Sequence, residues 1–204
     1  FTAIAPEIDG SPSDECWLLA KEASFSVPGR SGGSTAVRVK VLHSSESVFV
    51  LAQWKCTFES RSQSPWIWDP GLQIYRPGDE KEDCLSLYWM DLGSRGPVDV
   101  WAWRAERTDP AGCADDLFGY VRPSSLKAGA PPSLELRFDS GLLCWHPSRQ
   151  GVFSGERLPR FLLRTPSGSA ADVKAKGIWA DGVWTVEFER RKGTGNPDDI
   201  EFKD

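Results

Sequence analysis

The residues of this 204-residue chain that could do chemistry are two histidines, five cysteines, two doubled aspartates and one glycine-rich serine motif. His43 falls at a strand end and His146 stands before Pro147, so each is expected to be a surface or structural residue. Gly29-Arg30-Ser31-Gly32-Gly33 has the letters of a Gly-x-Ser-x-Gly nucleophile elbow. An elbow needs a strand before it and a helix after it to expose the serine. Here Pro28 precedes and a strand pattern follows, so the stretch reads as a turn. It also lacks the helix dipole that anion binding uses. Asp115-Asp116 and Asp198-Asp199 are adjacent carboxylates, expected as solvated turn residues. A calcium loop would supply more oxygen ligands at defined spacing, and nothing singles out a carboxylate pair for glycoside hydrolysis.

Cys16, Cys56, Cys84, Cys113 and Cys144 form no Cys-x-x-Cys pair. That removes support for a zinc ribbon or iron–sulfur site, and without Cys-x-x-Cys-His the usual c-type haem attachment is excluded. The odd count leaves at least one cysteine unpaired if the rest form disulfides. A net charge of −5 with no basic run argues against nucleic acid as a partner. No apolar run approaches the ~18 residues of a membrane span. The chain opens at Phe1 without an initiator Met, which fits both a removed leader and a trimmed end. The ten tryptophans are mostly expected as core wedges of a β-sandwich, each needing a partner for its N–H. A sharper alternative has several of them lining a flat aromatic cofactor.

These residues must be positioned by strands. Residues 35–42 and 47–56 alternate, joined through His43-Ser44-Ser45-Glu46. Residues 84–90, 98–105, 133–138 and 161–164 read as further strands. Trp101 and Trp103 fall on one face of the 98–105 run, with Val98, Val100 and Ala102 on the other. A terminal hairpin turns at Ala180-Asp181-Gly182; Trp184, Val186 and Phe188 share one of its faces, and Thr185, Glu187 and Glu189 the other. Residues 61–82 read as a long irregular loop, Asp115-Asp116-Leu117-Phe118 as the opening of a short helical turn, and residues 199–202 as an edge strand. The expected fold is all-β: a two-sheet antiparallel sandwich, immunoglobulin-like in outline, with long loops and few short helices. Residues 1–204 form one domain, with residues 1–15 a loose N-terminal arm.

Four blocks in order resemble the haem-binding domain of the ethylbenzene dehydrogenase gamma-subunit family, shared with cytochrome subunits of dimethyl-sulfide, selenate, chlorate and nitrite oxidoreductases. They are Gln53-Trp54-Lys55-Cys56-Thr57-Phe58-Glu59-Ser60, Glu82-Asp83-Cys84-Leu85-Ser86-Leu87-Tyr88-Trp89, Pro97-Val98-Asp99-Val100-Trp101-Ala102-Trp103-Arg104-Ala105 and the terminal hairpin. The resemblance implies a b-type haem between the sheets with Met and Lys as axial ligands. Those positions fall on Met90, the chain's one methionine, and on Lys176, with Lys174 as understudy. Trp101 and Trp103 would flank the porphyrin, and Arg95 or Arg104 would meet its propionates. A six-coordinate iron suits electron transfer rather than catalysis.

The resemblance thus implies an exported, periplasmic, non-catalytic subunit that docks on larger oxidoreductase subunits or a soluble cytochrome. This sequence lacks the Cys-x-x-Cys-His segment of many relatives, and Ala102 and Arg104 stand where they often carry His and Lys. The alternative is therefore a haem-free interaction or scaffold paralogue that assembles with an oxidoreductase complex or with itself.

Overall fold

The computed structural model describes residues 1–28, 33–90, 97–122, 133–148 and 154–203. The alternating runs become strands: β1 (Glu22–Pro28), β2 (Ser34–His43), β3 (Ser47–Lys55), β4 (Cys84–Trp89), β5 (Val98–Arg104), β6 (Asp115–Arg122), β7 (Ser133–Phe138), β8 (Lys174–Ala180) and β9 (Val183–Arg191). One sheet has the order β1-β2-β3-β9-β8 and the other β4-β5-β6-β7. Neighbours pair antiparallel throughout. Val48 and Val50 from β3, Trp184, Val186 and Phe188 from β9, and Trp101 and Trp103 from β5 share one buried cluster between the sheets. The protein is an all-β antiparallel sandwich, and the helical structure among the described residues is limited to short 3-10 turns such as Glu15–Leu18 and Asp109–Ala111.

The β8–β9 hairpin turns at Asp181 (φ 51°) and Gly182 (φ 77°). Both are left-handed, as a two-residue turn between twisted strands requires. Trp184 and Phe188 are fully buried on its inner face. On β5, Trp101 and Trp103 face the core, whereas Val98, Val100 and Ala102 join Leu117 on the other side of the sheet.

Three local readings are corrected. Residues 61–82 contain strands Trp66–Asp69 and Ile74–Pro77, which pair with each other and, through the first, with Arg157–Leu158. Pro65, Pro70 and Pro77 disguise strands only four residues long. Asp115-Asp116-Leu117-Phe118 is not a helical turn but the start of β6: Asp116 lies opposite Trp101 and Leu117 opposite Val100. Residues 199–202 add no strand. The N–H of Ile200 goes to Asp99 Oδ2 at 3.1 Å and that of Phe202 to the carbonyl of Lys192 at 3.0 Å. The Gly29-Arg30-Ser31-Gly32 part of the glycine-rich motif lies outside the described residues.

Two carboxylates fasten loops to the first sheet. Asp109, buried in the 3-10 turn, accepts hydrogen bonds at Oδ1 from Trp103 Nε1 (2.9 Å) and the N–H of Gly177 (2.6 Å). Arg61 Nη1 donates to its Oδ2 at 2.6 Å. Gly177 is needed there, because a Cβ would stand 2.5 Å from Trp103 Cζ2. Glu187 does the same on the opposite face. Its carboxylate accepts from Trp17 Nε1 at 2.8 Å and from the backbone N–H groups of Gly10 and Asp9. Within residues 1–15, Asp9 and Gly10 are held at the outer face of β9, where Glu187 accepts their amide N–H groups.

Asp109→Ala leaves two buried donors and an arginine without their acceptor, and it is expected to cost about 3–5 kcal/mol in urea unfolding. Burial raises Glu187 from 4.5 to about 7, against the hydrogen bonds of Gly10, Trp17 and Asp9. Its contribution to stability is complete below the unfolded pKa and is lost as pH rises through about 7. The fall in Tm between pH 5 and pH 8 is therefore expected to be shallower in Glu187→Gln than in the wild type. Equal slopes would place that titration on another group.

Candidate functional site

Strand parity decides where the expected iron ligands point. On β8, Ala175 and Gly177 take the inner face, so Lys174 and Lys176 project from the outer one. Lys176 Nζ bends around the sheet edge to Asp109, 3.2 Å from its carbonyl and 3.4 Å from Oδ2. Lys174 Nζ pairs with Glu189 Oε2 at 2.9 Å. On β4, Leu85, Leu87 and Trp89 pack toward the core, while Tyr88 is exposed. Met90, one residue past the strand, keeps Tyr88's phase and is 52% exposed.

The two ligands also sit at different levels. Trp89 lies opposite Asp99, whereas Lys176 reaches Asp109 at the level of Trp103. Four residues of strand separate those levels, roughly 13 Å. The space between the sheets is filled. Trp101, Trp103, Trp184 and Phe188 have no exposed surface, and the Trp103 and Trp184 rings meet edge-on at 4.8 Å. Arg104 Nε is bound to Asp115 Oδ2 at 2.7 Å. Arg95 lies outside the described residues. Met90 and Lys176 are not brought together, Trp101 and Trp103 pack on protein, and Arg104 has a protein partner. A porphyrin held by this pair of ligands does not fit the arrangement.

Two other features are built from functional side chains. The first is an open apolar cleft of about 360 Å³ where β1 and β2 stand away from β4, lined by Phe25, Val27, Val39, Val41, Leu87 and Trp89. It carries exposed aromatic surface, with Phe25 at 56% and Tyr88 at 52%.

The second feature was missed by sequence reasoning. Asp115-Asp116 and Asp198-Asp199 are not two solvated turns: Asp115 and Asp116 are buried. Asp99, Asp116 and Asp199 bring carboxylate oxygens within 4.8 Å of one another, and Asp139, Asp198 and Asp199 form a second such triad. Burial, reinforced by Asp99, Asp139 and Asp199, pushes Asp116 up to about 10. Burial and the charge of Asp198 raise Asp139 to about 8. The one signal in the sequence was parity: Asp99 and Trp101 share a face of β5, and Asp116 pairs with Trp101. The histidines lie elsewhere. His43 stacks edge-on with Phe1, and His146 Nδ1 lies 3.0 Å from the Pro147 carbonyl.

No helix among the described residues is long and apolar enough to cross a membrane. A search of curated proteins finds no match to the chain. The ethylbenzene dehydrogenase family matches residues 91–204, from the approach to β5 through the acidic cluster and the terminal hairpin. The match associates the chain with an oxidoreductase. With more than half of its length matched, and with the sandwich, the Trp101/Trp103 strand and the β8–β9 hairpin in place, the chain belongs to the ethylbenzene dehydrogenase family.

Proposed function

We propose that this chain is an accessory subunit of a molybdenum oxidoreductase complex, working as a protein-binding module rather than as a haem b electron carrier. The observation that carries this reading is the filled interior. Buried indoles occupy the space between the sheets, and the amine of Lys176 is committed to Asp109. The cleft between β1–β2 and β4 supplies the apolar surface a partner subunit would cover, with Phe25 and Tyr88 as aromatic anchors. The disulfide between Cys113 and Cys144 supports export to an oxidising compartment such as the periplasm.

One observation favours the other reading, a periplasmic haem b electron-transfer subunit. The cleft is apolar and ends at Trp89, which Met90 follows directly in the chain. In that reading the Met90 side chain would have to turn from its exposed position for its thioether to hold the iron, and Lys176 would not be its partner. A bound haem would supply one-electron transfer, and the chain's own residues would contribute apolar walls that exclude water.

A visible absorption spectrum separates the two. Protein purified from cells supplied with ample haem is expected to be colourless. A Soret band that disappears in Met90→Ala would overturn the haem-free reading. The partner claim has its own measurement. The tagged chain, recovered from cells that make it naturally, is expected to carry molybdenum by elemental analysis, and Phe25→Asp is expected to reduce that content at least tenfold, the effect of losing about 1.4 kcal/mol of binding. Molybdenum-free eluates would sink it.

A further inference from the structure

Among the described residues, the buried side-chain atoms left without a hydrogen bond gather in one corner of the sandwich. They are the indole nitrogens of Trp89 and Trp101, Nε of Arg190, and four carboxylate oxygens: Asp99 Oδ1, both oxygens of Asp116, and Asp139 Oδ1. Asp116 is fully buried, and no donor reaches either of its oxygens. A carboxylate so placed has lost its water and gained nothing in exchange. It does not stand alone, since its oxygens converge with those of Asp99 and Asp199.

The charge around it is unbalanced. Among the described residues, five aspartates (99, 116, 139, 198 and 199) face a single buried cation, Arg190. Arg190 Nη1 donates to Asp99 Oδ2 and, at 3.1 Å, to Asp199 Oδ1. Its Nη2 goes to the Ile200 carbonyl, and the guanidinium covers the rings of Trp101 and Phe202. None of its N–H groups reaches Asp116. Asp198 accepts from the Ser140 N–H and the Ser169 hydroxyl, and the Thr194 hydroxyl donates to Asp199 Oδ2. The oxygens left over belong to Asp99, Asp116 and Asp139.

The spacing fits a metal shell. Oxygens bound to one ion at about 2.3–2.6 Å stand roughly 3.4 Å apart when adjacent and about 5 Å apart when opposite. The triad's oxygens lie within 4.8 Å of one another, close enough to share one ion. The ligands are all carboxylate oxygens, with neither imidazole nor thiolate among them, which selects a hard cation over zinc or copper. Among hard cations, calcium accepts irregular shells of six to eight oxygens, whereas magnesium demands a near-ideal octahedron, so a cluster of carboxylates drawn from separate segments suits calcium better.

We propose that Asp99, Asp116 and Asp199 bind one calcium-class divalent cation, with Asp139 closing the site. The ion would join β5 and β6 of the second sheet to the segment after β9. That segment carries Phe202, which packs edge-on against Trp89 at 5.0 Å and Trp101 at 5.9 Å. The cation would therefore set how firmly the chain's last residues close the end of the core, whether or not a haem is bound elsewhere.

The test uses the purified protein stripped with EDTA. Titration with calcium chloride is expected to give one binding event per chain and, at a hundredfold excess over Kd, a Tm roughly 5 °C higher or more. Magnesium at equal ionic strength is expected to give a smaller rise. Terbium chloride is expected to show indole-sensitised emission, since Trp101 lies opposite Asp116. Asp116→Asn should abolish the calcium shift and the emission, and Glu46→Gln, an exposed control, should keep both. If Asp116→Asn does not fold, the wild-type titration decides alone: no saturable calcium binding at millimolar concentrations overturns the proposal. An Asp116→Asn protein more stable than the stripped wild type, with calcium inert on both, also overturns it and assigns the corner to protonated carboxyls.

Discussion

The hydrogen bond from a buried indole N–H to a buried carboxylate is the interaction on which the rest of this structure depends. A tryptophan brings a large apolar area into a core together with one donor that must not be stranded. Here the acceptors sit in loops or on the sheet faces those loops cover: Asp83 takes Trp184, Asp109 takes Trp103, Asp115 takes Trp145 and Glu187 takes Trp17. Each pair joins a hydrophobic wedge to a segment with little regular structure of its own. The carboxylates then recruit further donors, such as the Ser60 N–H at Asp83 and Arg61 at Asp109. In this way long connections are drawn onto two short-stranded sheets. The acidic composition is partly this interior scaffold, not only solvent-facing charge.

What was readable in the sequence follows from strand parity and turn chemistry. The Asp181-Gly182 turn, the division of β5 into a tryptophan face and a valine face, and the buried Trp184–Phe188 stripe all rest on local rules, and all are present in the structure. What was not readable rests on contacts distant in sequence. Nothing local marks Glu187 as buried, because the arm that covers it lies about 170 residues earlier. Asp115-Asp116 looks like a turn until Trp101 is placed opposite it. For Met90 and Lys176 the obstacle was different. The alternation that puts Ala175 and Gly177 inside already puts Lys176 outside, so parity carried information that the resemblance overrode.

The tryptophan count admits two readings because aromatic rings can pack on a porphyrin or on one another. Trp54 stacks on Trp184 at 6.2 Å, Trp103 meets Trp184 edge-on, and Arg61 lies over the Trp184 ring. Every face of Trp184 is thereby committed to the protein. Ring-on-ring contacts of this kind contribute about 0.5–1.5 kcal/mol each beyond the area they bury. A sandwich that has made them has less reason to hold a large flat cofactor at the same depth.

At the other end of the core the same logic stops short. Trp89 and Trp101 bring their N–H groups to a place where the nearby carboxylates are arranged around one another instead of around the indoles. Had these aspartates evolved only as indole acceptors, Asp116 would face Trp101 Nε1 as Asp109 faces Trp103; it pairs with the strand and ignores the ring. Carboxylates that are left without donors and converge are arranged for a centre of positive charge. Arg190 supplies one such centre, at Asp99 and Asp199, and stops there. The difference between the two ends of one core is thus a difference in what the aspartates were placed to meet: protein donors at Asp109, and at Asp116 something with charge and several open coordination positions.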